Sequence, residues 1–491
     1  MKKIFALLVI FLVYTTFLVA QPVRLKLSRQ INVPNYNHYG VSLTADGQTI
    51  FFTSDYYLSE GNKAELKECH SKGADNWGAL EEVTMLNKSG SLNQYAGHGV
   101  SPDGNTLYFS SRKMGGVGGF DIWVSTRING QWYTPRNIGK PVNSEGMEGF
   151  PSISPDGKML YFVRCQTMTN QKAEGCKVYQ AELKGNDIWK EPVALPDNVN
   201  QGNILAPKIL KDGKTLLFSS DKPGGKGSYD LYVSKKTSSG WSDPRNISIL
   251  NTSSDEIFAD MSFQTDAIVY SSFVENYWTV FKAKLPEEFQ PESVVLLSGK
   301  AQDGAKRPLK GFVQAMDNKT GAPISITPIS YDGNFSLLLG KDKSYDIAIT
   351  AGNENFYWSG TVSAENLLKS KKEAVEATVE PLAMGKFYQG NKPLFDSTSY
   401  RLLPGANLEC KRIAKLIQTH PSWKIELVLF VAGVAENKPT DENAAFETMK
   451  GTVENELSKA GIPSEKYSIS NGAHTAEEEE NYSGWGLKIA Q

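Results

Sequence analysis

One short phrase is written into this chain five times, and it restricts the fold more than any other feature. Its fullest copy is SPDGNTLYFSS, residues 101–111. Aligned on the aromatic end, the copies fall at Phe52, Phe109, Phe162, Phe218 and Tyr270, with spacings of 57, 53, 56 and 52 residues. A turn precedes each one: Asp46-Gly47, Asp103-Gly104, Asp156-Gly157 and Asp212-Gly213, with Asp266-Ala267 as a shortened fifth version. Glycine accepts positive φ and aspartate can bond its own backbone, so an Asp-Gly pair suits a tight hairpin. Three positions before each Asp stands an apolar residue: Leu43, Val100, Ile153, Ile209 and Phe263. The unit reads strand, turn, strand.

Each copy then continues. FDIWVS (120–125), KVYQA (177–181), YDLYVS (229–234) and WTVFKA (278–283) supply a third strand. A fourth opens at Trp77, Trp132, Trp189 or Trp241 and ends at Asn87, Asn143, Asn200 or Asn251. Four strands per period of about fifty residues is the requirement of a β-propeller blade, whose apolar faces only neighbouring blades can cover. The fifth copy stops at Lys284 without its fourth strand, while VRLKLSRQIN (23–32) is a spare strand with the same Asn ending. The expected architecture is therefore five blades over 21–286, closed by the N-terminal strand.

The phrase, with GGxGxxDIWVS downstream, resembles the TolB-type, WD40-like (PD40) propeller repeat over roughly residues 35–285. Asp103, Asp156 and Asp212 could be read as pore carboxylates, but a catalytic group has no reason to recur once per blade, so they read as turn residues. The phrase also lacks one residue that a sialidase Asp-box places between Asp and Gly. GGVGG (115–119) and GGKG (224–227) are not followed by helices, so no helix N-terminus is present to hold a phosphate.

PEEFQPES, from Pro286, reads as a linker with little to bury. Alternating runs such as FSLLL and YDIAIT then indicate a small β-sandwich over 294–380. Gly299–Thr320, Asp332-Gly333-Asn334-Phe335 and Tyr345–Thr350 resemble the carboxypeptidase regulatory-like domain, which implies a spacer or binding module without peptidase activity. From 384 to 491 the chain changes to an α/β pattern. Leu408, Ile413, Leu416 and Ile417 form a helical stripe, WKIELVLFVAG a strand, and 442–462 a second helix ending at Gly461. PSWKIEL and VENELSKAGI resemble the OmpA-like domain that binds peptidoglycan. That family grips diaminopimelate with an Asp and an Arg. Counting along the matching segments puts Ala432 at the Asp position and Met449 at the Arg position, and neither can pair with a charged group. A rival alignment uses Thr440-Asp441 for the Asp, with Lys450 beside the missing Arg. YSGWGLKIA (482–490) replaces a customary arginine-bearing stretch. The reading is a retained fold with an altered wall-binding site.

Lys2 and Lys3 before the apolar run Ile4–Val19, with Ala20 at its end, have the form of a secretory signal over 1–20. Leu18, where a smaller residue favours cleavage, keeps an uncleaved anchor as the alternative. No later stretch spans a bilayer. An exported setting favours a disulfide between Cys165 and Cys176, which bracket QTMTNQKAEG, against the alternative of two free thiols. Cys69 and Cys410 lie in different segments and are not expected to pair. The 52 basic and 54 acidic residues offer nucleic acid no attraction. His38, His70, His98, His420 and His474 form no HExxH or similar metal spacing, and no GxSxG elbow occurs. His98 is a candidate for the channel, against the commoner alternative of a packed or wet histidine on an inner strand. No cofactor and no catalytic constellation is expected.

The domain order resembles OmpA-family envelope proteins of the Bacteroidetes type, one of which is a peptidoglycan-tethered component of type IX secretion machinery. The resemblance implies a non-enzymatic periplasmic scaffold, associated with the outer membrane, that binds envelope proteins, with secretion components as candidate partners. The competing readings are a propeller hydrolase or lyase acting on glycans, and a peptidoglycan anchor with changed contacts.

Overall fold

A computed structural model describes residues 24–490 of the chain apart from 59–63, 88–96, 330–332, 352–355, 365–373, 432–440, 473–483 and single positions or pairs elsewhere, Asp103 among them. The signal-like segment 1–20 and Ala432 lie outside the described residues. The molecule is mainly β, with three separate groups of apolar cores.

The repeats form five antiparallel sheets. Their first strands are His38–Leu43, His98–Val100, Met147–Ile153, Ile204–Ile209 and Glu256–Met261. Each of these touches the next, and the fifth touches the first, so the contacts run in a closed cycle. Aromatic and β-branched side chains fill the spaces between successive sheets, as with Phe162, Ile122 and Val142 between the second and third. The third strands, such as Asp121–Ile128 and Asp230–Thr237, follow the sequence.

The fourth strands differ from the sequence reading. Each is two pieces of two residues, for example Gln131–Trp132 and Arg136–Asn137, both paired with the third strand. Pro135, Pro192 and Pro244 stand in the breaks of sheets two, three and four, and a proline has no N–H to donate to a ladder. The terminal Asn is not in a strand either. Its amide copies a peptide group, accepting the N–H and donating to the C=O of one third-strand residue. Asn87 does this to Leu66, Asn143 to Ile122, Asn200 to Val178 and Asn251 to Leu231.

The N-terminal segment serves the fifth sheet in the same way. Leu25–Lys26 pairs with Tyr277–Lys284, a shorter strand than VRLKLSRQIN suggested, and Asn32 brackets Val280. Leu27 and Ile31 are buried beneath it. The fifth turn also needs correction. Met261, not Phe263, pairs with Ile268 as Leu43 pairs with Ile50, so the turn sits at Gln264-Thr265 and Asp266 follows it. Asp266 is instead ion-paired with Lys284.

The linker buries more than its composition suggested. Phe289 is 6% exposed against the fourth and fifth sheets, under the Arg245 guanidinium. Beyond it, strands 294–302, 334–340 and 374–378 face a second sheet of 323–328, 311–317, 344–351 and 356–363. Leu297, Val313, Leu337 and Ile347 fill the space between. The C-terminal portion packs helices Ala406–Thr419 and Glu442–Lys459 on a sheet in which 424–429 runs parallel to 467–471. Leu408 does not belong to that core. It turns to the opposite side, against the Gly321 turn of the sandwich. Cys165 and Cys176 are bonded at the base of a small hairpin, while Cys69 and Cys410 are buried and not disulfide-bonded.

Candidate functional site

The five first strands meet at the centre of the cycle, and each carries, or in the second sheet directly follows, one residue in the left-handed region: Gly40 (φ 70), Gly97 (66), Phe150 (51), Ala206 (48) and Phe258 (61). A pairing irregularity follows at the same place in sheets one, three, four and five. Three of these residues carry a Cβ, which makes that φ costly. The recurrence shows that the bulge is a requirement of the repeat, re-aiming the residues after it.

Two positions further on stand Ser42, Gly99, Ser152, Lys208 and Asp260. They are chemically unlike, yet each meets the next sheet. Ser42 Oγ donates to the His98 carbonyl at 3.0 Å. A Cβ on Gly99 would lie 2.2 Å from the Pro151 oxygen, so the backbones themselves touch. Ser152 Oγ accepts the Ile209 N–H at 3.1 Å. Lys208 pairs with Asp260 at 2.8 Å, and Asp260 accepts the Leu43 N–H at 2.9 Å, which returns the series to the first sheet.

These strands enclose a narrow axial pocket lined by Ser42, His98, Pro151, Pro207, Lys208 and Phe258, among others. His98 faces it, as the sequence allowed. Part of the residue retains exposed surface, but its Nε2 is buried and has no protein partner among the described residues. Burial holds the imidazole down at about 4, with Lys208 acting in the same direction, so it is neutral near pH 7. One end of the pocket is crowded by aromatic rings. Phe150 stacks on Phe258 at 5.8 Å, and Tyr39 and Trp278 lie 6.0 and 6.4 Å from Phe258.

The carboxylates show what this centre can do chemically. Seven are buried among the described residues of the five sheets: Glu65, Glu68, Asp121, Glu148, Asp230, Glu256 and Asp260. Glu65 pairs with Lys67, Glu68 with Arg127 and Glu148 with Arg164. Glu256 receives Thr252, Ser272 and Arg24, and burial raises its carboxyl above the usual range. Asp121 accepts the Val117 and Gly118 amides, and Asp230 those of Lys226 and Gly227. The two Gly-rich loops thus spend these N–H groups on their own aspartates, in keeping with their reading as turns. Asp46, Asp156 and Asp212 likewise accept from their own turns. Glycoside hydrolysis needs two carboxyls facing one open site, and each of these seven is already engaged.

Glu68, His70 and Glu81 place potential metal ligands within 4.8 Å of one another on the first sheet. Glu68 is held there by Arg127, and His70 Nδ1 lies 3.0 Å from Thr49 Oγ1. Sequence spacing did not reveal this group, because Glu81 is brought opposite Glu68 only by strand pairing.

In the C-terminal portion, the described residues singled out by resemblance, Met449, Asp441 and Lys450, each have a local role. Met449 is 0% exposed and points into the helix–sheet core, so its position is a packing one. Asp441 caps its helix, accepting the Ala444 N–H at 3.0 Å. Lys450 lies 3.7 Å from Glu447. In YSGWGLKIA, Gly484 adopts a left-handed φ of 75, and Gly486 and the neighbouring Trp485 take part in close packing. A Cβ on Gly486 would fall 2.2 Å from the Phe387 ring, and one on Gly390 would fall 2.1 Å from buried Trp485.

No protein-family model matches the chain, and no curated protein does. Among solved structures it is similar to a putative TolB from Agrobacterium tumefaciens, at 16% identity and TM-score 0.31, over 62% of this chain and 90% of that one. An endo-arabinase from Bacteroides thetaiotaomicron matches at 16% identity and TM-score 0.37, over 54% and 94%. The C-terminal domain of Helicobacter pylori MotB matches at 18% identity and TM-score 0.17, over 21% and 86%. Likenesses of this degree do not bear on activity. No described helix is long and apolar enough to cross a membrane.

Proposed function

We propose that the chain is a non-enzymatic scaffold of the bacterial envelope. In this reading the five sheets are the blades of a TolB-type propeller that engages partner proteins. The regulatory-like sandwich is a spacer, and the OmpA-like portion lies near the cell wall. The protein is exported to the periplasm, works beside the outer membrane and binds other envelope proteins, with secretion components as candidates. One observation supports this most: Ser42, Ser152, Lys208 and Asp260, at the centre of the cycle, are spent on joining one sheet to the next. A glycan-acting enzyme would need two carboxyls free to face a substrate, and the buried ones are committed to cations, hydroxyls or amides. The loss of charge at Met449 and the capping role of Asp441 support weak wall binding.

In-cell cross-linking in the native envelope, followed by identification of the captured proteins, tests the reading. A specific and reproducible partner is expected. Recovery of none, together with turnover of an envelope glycan by the purified chain, would reverse it. Sedimentation of the full chain with purified peptidoglycan should leave it in the supernatant.

A further inference from the structure

Glu68, His70 and Glu81 share one face of the first sheet. Glu68 and His70 are two residues apart on strand Glu65–Gly73, so their side chains leave the same side. Glu81 stands directly opposite Glu68 in the outer piece Glu81–Glu82. One donor atom from each comes within 4.8 Å of the other two. Glu68 is buried, while His70 and Glu81 are exposed, so the group can be reached from solvent. The repeat itself does not ask for these residues. Strand pairing puts Val124, Gln180 and Val233 at the place of Glu68 in sheets two, three and four, and Arg136, Val193 and Arg245 at the place of Glu81. At the place of His70 stand Thr126, Glu182 and Lys235. Those three sheets complete their outer edges without the triad, so a turn or packing requirement of the blade does not account for it.

Two carboxylates facing one another across a strand pair repel unless a cation stands between them. Arg127 supplies part of that charge, but it donates from Nη2 to Oε2 of Glu68 alone. Oε1 of that buried side chain, the Glu81 carboxylate and Nε2 of His70 have no hydrogen-bond or ion-pair partner among the described residues. The Thr49 hydroxyl lies 3.0 Å from His70 Nδ1, so the ring is held by one nitrogen as Glu68 is held by one oxygen. Outer partners of this kind orient metal ligands. We propose that Glu68, His70 and Glu81 bind one divalent transition cation, with Zn²⁺ as the type and water in the remaining positions. An imidazole beside two carboxylates suits zinc and its neighbours better than Ca²⁺ or Mg²⁺, which favour oxygen donors throughout. Zinc bonds of about 2.0–2.2 Å set tetrahedral donors roughly 3.4 Å apart, and the exposed His70 and Glu81 side chains can close to that spacing. The ion then cross-links the two-residue piece Glu81–Glu82 to the third strand of its sheet.

Calorimetric titration of the full chain with Zn²⁺ near neutral pH tests this, with hydrogen–deuterium exchange of residues 76–83 read in parallel. Uptake of one ion at these residues is expected, with a Kd on the order of 1–10 μM. At about a hundredfold excess over Kd, exchange in 76–83 should slow by roughly ten- to a hundredfold. His70→Ala and Glu81→Gln, both at exposed positions, should each weaken binding by roughly tenfold or more and remove the protection. His420→Ala, in the C-terminal portion, should bind as the wild type does. No uptake of Zn²⁺ below about 100 μM, uptake that survives His70→Ala and Glu81→Gln unchanged, or uptake without protection of 76–83 would each overturn the proposal.

Discussion

Gly99 shows how much one absent methyl group can decide. Its equivalents around the cycle are two serines, a lysine and an aspartate, each joined to a neighbour by a polar bond. At Gly99 the join is a backbone contact, with 2.2 Å available where a Cβ would stand. Gly99→Ala must therefore push two strands apart and should cost about 2–3 kcal/mol or more. Gly304→Ala, at an exposed turn with no atom within 4 Å, should change little. Chemical denaturation of the two variants checks the contrast. The bracketing asparagines belong to the same scale. Asn32 makes three bonds, to Leu27 and to both polar groups of Val280. Asn32→Ala leaves the buried Val280 N–H without its acceptor, while the Val280 carbonyl keeps the Leu27 N–H, and should cost about 1–3 kcal/mol in the same assay.

At the scale of elements, the short N-terminal strand has the largest effect. Only Leu25–Lys26 is paired, but Leu27, Ile31 and Asn32 extend the seal over the fifth sheet, and Leu27 and Ile31 are buried in the cluster shared with the first. Deleting 24–32 uncovers Val280 and opens the cycle between its last and first sheets. The expected loss is roughly 5 kcal/mol or more, from two buried aliphatic side chains and the Asn32 bracket. Calorimetry should show the transition of the five sheets lowered, while that of the C-terminal portion is retained. The hairpins themselves were legible in the sequence because Asp-Gly turn chemistry is local. The fifth one misled, since Asp266 imitates the turn aspartate while strand pairing puts Gln264 in that place. The broken fourth strands were written in Pro135, Pro192 and Pro244, although the Trp-to-Asn spacing suggested continuity.

At the scale of the whole molecule, one buried titratable group gives stability a slope with pH. His98 has a folded pKa of about 4, below its ordinary 6.5, so the unfolded chain binds more protons between those values. Its contribution is complete above about pH 6.5 and is lost as pH falls toward about 4, up to about 3 kcal/mol. Urea midpoints for the five sheets should fall between about pH 7 and about pH 4.5, and His98→Gln should flatten that decline. By itself the sequence determined the hairpins, their number, the Asn at each repeat's end and the composition of the separate cores, because turn geometry and strand alternation are settled within a few residues. Tertiary structure alone decided the left-handed φ at Phe150, Ala206 and Phe258, the partners of Ser42, Ser152, Lys208 and Asp260, and the meeting of Asp346 with Arg412. Such pairings depend on which surfaces packing brings together across tens or hundreds of residues, and no local pattern in the chain records them.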